Sequence, residues 1–215
     1  MKRTLVLIAV ITMAAGMVCA DGHGFFGTPE GQWNLVGGRL FQQDDGAPRA
    51  KAWMAIPQNG SMVYEFTMRY EGGANDGHGG AGIHILADSV TDGKSWGLGD
   101  SWLLWINYDV NPAASGVPRG LSAQVYKSTD NKSMEIVKTI SLAPWESLAA
   151  ANLAYDIPVK LTFLADRGRV VIGDPRGETA GWYVDLPGAR GDSGRYVAVR
   201  TNGVAVSFTS PDVSL

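Results

Sequence analysis

Met62-Val63-Tyr64-Glu65-Phe66-Thr67-Met68-Arg69-Tyr70 alternates in polarity without a break. Met62, Tyr64, Phe66, Met68 and Tyr70 fall on one face, and Val63, Glu65, Thr67 and Arg69 on the other. Successive side chains of an extended chain point to opposite faces, so this period of two predicts a half-buried strand. Short alternating or apolar runs follow at Ala81–Ala87, Ser101–Tyr108, Leu121–Lys127, Met134–Leu142 and Ile157–Leu164. Val170–Ile172, Trp182–Leu186, Tyr196–Arg200 and Val204–Thr209 continue the series. Clusters such as Asn111-Pro112 and Asp174-Pro175 separate them, and Asn202-Gly203 predicts a two-residue hairpin turn. Only Pro144–Asn152 has the character of a short helix, with Pro in its first turn and Asn at its exit. The expected fold is all-β: a two-sheet antiparallel sandwich over residues 21–215, with one short helix.

Composition fits one packed domain. The chain has 215 residues, 45% hydrophobic and 18% charged, which excludes a disordered or coiled-coil protein. A net charge of -3 lacks the basic footprint of a nucleic-acid binder. At the N-terminus Lys2 and Arg3 precede the apolar run Thr4–Ala15, and Gly16-Met17-Val18-Cys19-Ala20 follows. This is the pattern of a secretory signal peptide over residues 1–20, too short in its apolar part to span a bilayer. The expected location is the periplasm, the cell surface or the medium. Cleavage after Ala20 would remove Cys19, the single cysteine. Thiol catalysis, thiolate zinc sites and disulfides would then be excluded.

Several short motifs match chemistry by chance. Gly77-His78-Gly79-Gly80-Ala81-Gly82 has the dinucleotide spacing, but a strand follows it where a helix is needed, so it is read as a flexible connection. Gly93-Lys94-Ser95-Trp96-Gly97 has the nucleophile-elbow spacing, yet His23, His78 and His84 all precede Ser95, the reverse of the required order. Arg190-Gly191-Asp192-Ser193-Gly194 is read as a turn. Asp76, His78 and His84 lack the fixed spacing of a helical metal site. Asp109-Val110-Asn111 is similar to the acidic turns that hold calcium in some lectins, but alone it is a weak signal; the expectation is no cofactor and no metal site, with calcium the one exception the sequence allows. Glu65 and Glu71 share a strand about 20 Å apart, too far for a glycosidase dyad.

Taken in order, Trp33–Leu40, Tyr64–Tyr70, Gly82–Leu86, Tyr155–Leu164, Val170–Ile172, Val197–Val199 and Val204–Phe208 resemble the concanavalin A-like (LamG-like) lectin/glucanase sandwich. Within it they are similar to secreted bacterial domains of the 3-keto-disaccharide hydrolase family. The resemblance implies a jelly-roll sandwich whose terminal strand returns beside the first. That family's Asn-Ser-Gly stretch is replaced here by Gly72–Gly77, so hydrolysis ranks below binding.

Strand alternation nominates a ligand face. Burying Tyr64, Phe66 and Met68 turns Glu65 and Arg69 outward, and burying Trp102, Leu104 and Ile106 turns Trp105 and Asn107 outward. Gln124, Tyr126 and the polar His84 join them if the strands are neighbours. An aromatic plate among amides and charges suits a sugar. The expected function is therefore glycan binding at the cell envelope. The alternatives are a structural envelope or sheath component that packs on another protein through this surface, and a glycoside-processing hydrolase.

Overall fold

The computed structural model describes residues 17–20, 23–27, 30–91, 93–142, 156–174, 177 and 179–215. Its strands in chain order begin with β1 (Met17–Ala20), β2 (His23–Gly27), β3 (Trp33–Val36), β4 (Arg39–Gln42), β5 (Ala50–Asn59) and β6 (Met62–Gly73). Next come β7 (His78–Ala87), β8 (Ser101–Asp109), β9 (Gly120–Ser128), β10 (Met134–Ser141) and β11 (Ile157–Leu164). The last are β12 (Arg169–Ile172), β13 (Trp182–Asp185), β14 (Ser193–Asn202), β15 (Val204–Phe208) and β16 (Asp212–Ser214). They form two antiparallel sheets. The first, here the A sheet, runs β1-β2-β5-β14-β7-β8-β9-β10; the second, the B sheet, runs β13-β12-β11-β6-β15-β4-β3, with β16 beside β6. The fold is thus an all-β sandwich, as the alternation predicts.

Side-chain parity builds the interlayer core. On β6 Met62, Tyr64, Phe66 and Met68 are buried while Glu65 is exposed. They meet Ile83 and Ile85 of β7, Trp102 and Leu104 of β8 and Val125 of β9 in one apolar cluster with Phe163 and Phe208. Each such side chain contributes roughly 1.5–3 kcal/mol by leaving water. The buried polar atoms among them are satisfied: Tyr64 Oη donates to Gln58 Oε1 at 2.8 Å, and Trp102 Nε1 to Asp192 Oδ2 at 3.2 Å. Burial raises the Tyr64 phenol well above its usual range.

Two expectations are corrected. Asn202-Gly203 does not close a hairpin. β14 already has β5 on one side and β7 on the other, so no edge is left for β15, which pairs β4 and β6 in the opposite sheet. Gly203, at φ 66°, turns the chain from one layer into the other. Nor is Gly77–Gly82 a flexible connection, since His78 onward belongs to β7. The helix expected over 144–152 lies outside the described residues, as does the apolar run of residues 4–15. β1 is an edge strand, and the expected cleavage after Ala20 falls at its end, where removal would leave β2 on β5. Among the described residues no helix is long and apolar enough to cross a membrane.

Candidate functional site

The strand register sets side chains of the A sheet in transverse rows. Since Ile83, Leu104, Val125 and Val199 face the core, the residues beside them face outward. One row is Lys51, Arg200, Gly82, Trp105 and Gln124 across β5, β14, β7, β8 and β9. The next is Asn202, Gly80, Asn107 and Ser122, and on the other side lie Ala198, His84, Leu103 and Tyr126. The two glycines are needed where they stand. A Cβ on Gly80 would lie 2.5 Å from Trp105 Cζ2, and one on Gly82 would collide with the Leu104 carbonyl. The indole of Trp105 therefore lies across β7 and brings its ring to 5.4 Å from the Arg200 guanidinium.

The segment between β7 and β8 folds back over this face. Lys51 Nζ donates to Ser95 O at 2.6 Å and to Ser95 Oγ at 2.9 Å, and Arg200 Nη1 donates to Trp96 O at 2.5 Å. The amides of Trp96 and Gly97 both donate to Asn131 O at 3.1 Å. So anchored, Trp96 overhangs a cleft of about 190 Å³ whose lining includes Trp105, Asn107, Asp109, Tyr126, Arg200 and Asn202. Trp96 remains 44% exposed, whereas Trp105 is 8% exposed. The loop tryptophan is the accessible plate, and Trp105 is the floor.

Positive charge collects at one end. The Arg200 guanidinium lies 5.2 Å from the Trp96 ring centre and that of Arg49 4.7 Å. Stacking of this kind is favourable when the cation is partly desolvated. Burial, with the Arg49 charge adding to it, lowers Arg200 to about 10, so it stays charged at neutral pH. Burial lowers Lys51 most and Arg200 next; Glu30 opposes and Arg49 adds, leaving the ammonium at about 7. Burial, then the Arg200 and Lys51 charges, hold His84 well below the usual imidazole range. Arg200 Nε is buried without a hydrogen-bond partner.

Of the seven residues expected on one face, five share this surface. Trp105, Asn107 and Tyr126 line the cleft, and Trp105 Nε1 donates to Asn107 Oδ1 at 3.2 Å. Gln124 sits behind and accepts from Tyr126 Oη at 2.6 Å. His84 is fully buried, with Nδ1 3.0 Å from Ser101 Oγ and Nε2 unpartnered. Glu65 and Arg69 do not join them. Their strand pairs β11, β15 and β16, so both lie on the outer face of the B sheet, on Lys160 and Glu71 respectively. Arg200, Asn202 and Trp96 were not among the expected residues. The first two were readable by extending β14's alternation, but no periodicity places a loop tryptophan.

The remaining motifs are structural. Asp109 takes His78 Nε2 at 3.2 Å and the Asn111 amide at 2.9 Å. Calcium takes six to eight oxygens, and among the described residues no three His, Cys, Asp or Glu come together. In the Asp109–Asn111 turn Asp109 is the one carboxylate, and it is held by His78. Ser95 of the elbow-like motif is a loop anchor for Lys51 and donates to Gly97 O at 2.8 Å. In the Arg190–Gly194 stretch, Asp192 N donates to Ala189 O at 3.1 Å, as a turn should.

Neither a protein-family model nor a curated protein matches the sequence. Solved structures do. Carbohydrate-binding module CBM66 from Bacillus subtilis superposes with a TM-score of 0.58 at 11% identity, over 89% of this chain and 95% of that one. A legume lectin-like domain from Entamoeba histolytica gives 0.56 at 11%, over 88% and 89%. The VIP36 exoplasmic/lumenal domain, in its Ca2+/Man3GlcNAc-bound form, gives 0.55 at 13%, over 88% and 83%. At these identities the likeness establishes a lectin-like β-sandwich fold.

Proposed function

We propose that this chain is an exported, lectin-like protein that binds saccharide in the cleft on the outer face of the A sheet. The observation that carries the reading is the cleft's make-up: an exposed indole, Trp96, beside the amides Asn107 and Asn202 and the phenol Tyr126. Rigid aromatic faces pack on sugar C–H bonds while planar amides take the hydroxyls. The names of the similar structures, a carbohydrate-binding module and a saccharide-bound lumenal domain, agree with it. The basic and apolar run ending at Ala20 supports export to the cell envelope.

Binding is favoured over hydrolysis by the count of acids. Asp109 is the one carboxylate lining the cleft among the described residues, and His78 holds it. Hydrolysis by the common route takes two carboxyls flanking the bond. The 3-keto-disaccharide reading would need its acids elsewhere, and Glu65 and Glu71 are on the other sheet.

A glycan array followed by calorimetry tests the proposal. Trp96→Ala should weaken the best hit about 30-fold, or roughly 2 kcal/mol, as loss of a central aromatic contact does. The far-UV circular dichroism should not change. No hit on a broad array, together with a stable complex with another envelope protein, would replace this reading with the structural one.

A further inference from the structure

We infer that the cleft takes an acidic saccharide, its carboxylate seated against Arg200, with the Arg49 charge beside Trp96 adding to the attraction, and its ring beside Trp96. This rests on the cleft being the saccharide site, and it adds the ligand's charge class. Arg39, Arg69, Lys127, Lys160, Arg167 and Arg169 each have a carboxylate within ion-pair distance. Neither Arg49 nor Arg200 is among them. Arg200 is 3% exposed and stays cationic at neutral pH, and a buried charge of this kind is costly without an anion.

The guanidinium's geometry narrows the class. Nη1 is committed to Trp96 O, with Met134 Sδ at 3.5 Å, whereas Nε on the opposite edge has no acceptor. The edge that includes Nε presents parallel donors, which match the two oxygens of a carboxylate, and because Nε is shielded from solvent a small shift of the Arg200 side chain accompanies its engagement. Arg49 does not line the cleft but stands over Trp96, beside the Arg200 end. It holds a left-handed backbone, φ 55°, rare for a residue with a Cβ, and its amide donates to Asn202 Oδ1 at 3.1 Å. That conformation sets its guanidinium over Trp96. At the far end Asp109, paired with His78, repels an anion, so a ligand with one acid group has a single favoured direction. Lys51 adds positive charge behind the cleft, and Glu30, which faces Lys51, offsets part of it.

Calorimetry with short oligomers of glucuronate, galacturonate and mannuronate, their methyl esters and their neutral counterparts decides the matter. At least one uronate oligomer should bind ten-fold or more tightly than its ester and its neutral counterpart. Arg49→Gln should shrink that preference at least three-fold, the uronate losing more affinity than its neutral counterpart, and raising the salt from 50 to 300 mM should shrink it as well. Arg49 is half-buried at the surface, so its variant remains informative if Arg200→Gln fails to fold. Equal affinity for charged and neutral chains overturns the charge class and leaves the saccharide site standing. Tighter binding of sulfated oligomers overturns the carboxylate. Binding of none of these, with an empty glycan array, overturns both.

Discussion

The two outer faces of the sandwich use the same residue types differently. On the B sheet, Arg39 Nε donates to Ser207 Oγ at 2.8 Å and Nη1 to Thr67 Oγ1 at 3.1 Å, with Asp156 3.1 Å away. Ser207 Oγ in turn donates to Glu71 Oε1 at 2.6 Å, and Arg69 bonds the same oxygen at 2.8 Å. Lys160 meets Glu65 at 2.5 Å, and Arg169 meets Asp185 at 2.6 Å. Donors and acceptors there satisfy one another. At the cleft on the A sheet Arg49 and Arg200 stack on indoles, Arg200 also donates to a backbone carbonyl, and neither meets a carboxylate. A surface whose donors and acceptors are saturated offers little to a ligand, and the unsaturated one of equal polarity is where the proposed site lies.

The sharpest way to break this contrast is through one glycine on each face. Gly82→Ala should destabilise the protein by up to about 3 kcal/mol, because the new methyl meets the β8 backbone under Trp105. Gly72→Ala on β6 has open space and should stay within about 0.5 kcal/mol. Urea denaturation reads both, and similar costs would show that the floor of the cleft is not tightly packed.

Acid should act next, through His84. Its imidazole is neutral when buried, whereas the unfolded chain takes a proton below its ordinary value near 6.5. The unfolded state then binds more protons, so stability rises with pH and is lost as pH falls below that value. The limiting slope for one proton is about 1.4 kcal/mol per pH unit. His84→Gln should flatten the fall between pH 6.5 and 5. An unchanged profile would assign the acid sensitivity to the carboxylates. The smallest effect is expected on the B sheet, where Glu65→Gln removes an exposed ion pair worth less than about 1 kcal/mol and should leave saccharide affinity unaltered.

What the sequence disclosed followed from parity. Alternation sorted β6 correctly into core and surface, since it has one apolar face; on β8 it separated the two sides, but Leu103 and Trp105 on the outer side are buried as well. It could not show which strands are neighbours, and so it grouped Glu65 and Arg69 with residues of the other layer. It is also silent where both faces are covered. β5 reads Ala-Lys-Ala-Trp-Met-Ala-Ile-Pro-Gln-Asn, with Lys51 buried under the loop and Pro57 at a shift of register against β14. Proline is tolerated in a strand at such irregularities, and the pattern disappears. Asn202-Gly203 carries the right signal for a tight turn but no information about which layer the next strand enters. Trp96 depends on long-range anchors, from Lys51, Arg200 and Asn131, that no local spacing encodes.

The corner at Asn202-Gly203 also sets a schedule. It places β14 in the middle of one layer and β15 in the middle of the other, against partners that begin as early as Arg39 and Ala50. Neither layer can zip shut until Ser193 onward has arrived, and contacts between segments so distant in the chain form slowly. A polypeptide emerging in order from a ribosome or a translocation channel would remain open until nearly its whole length is free. It would then seal both layers in a single late event.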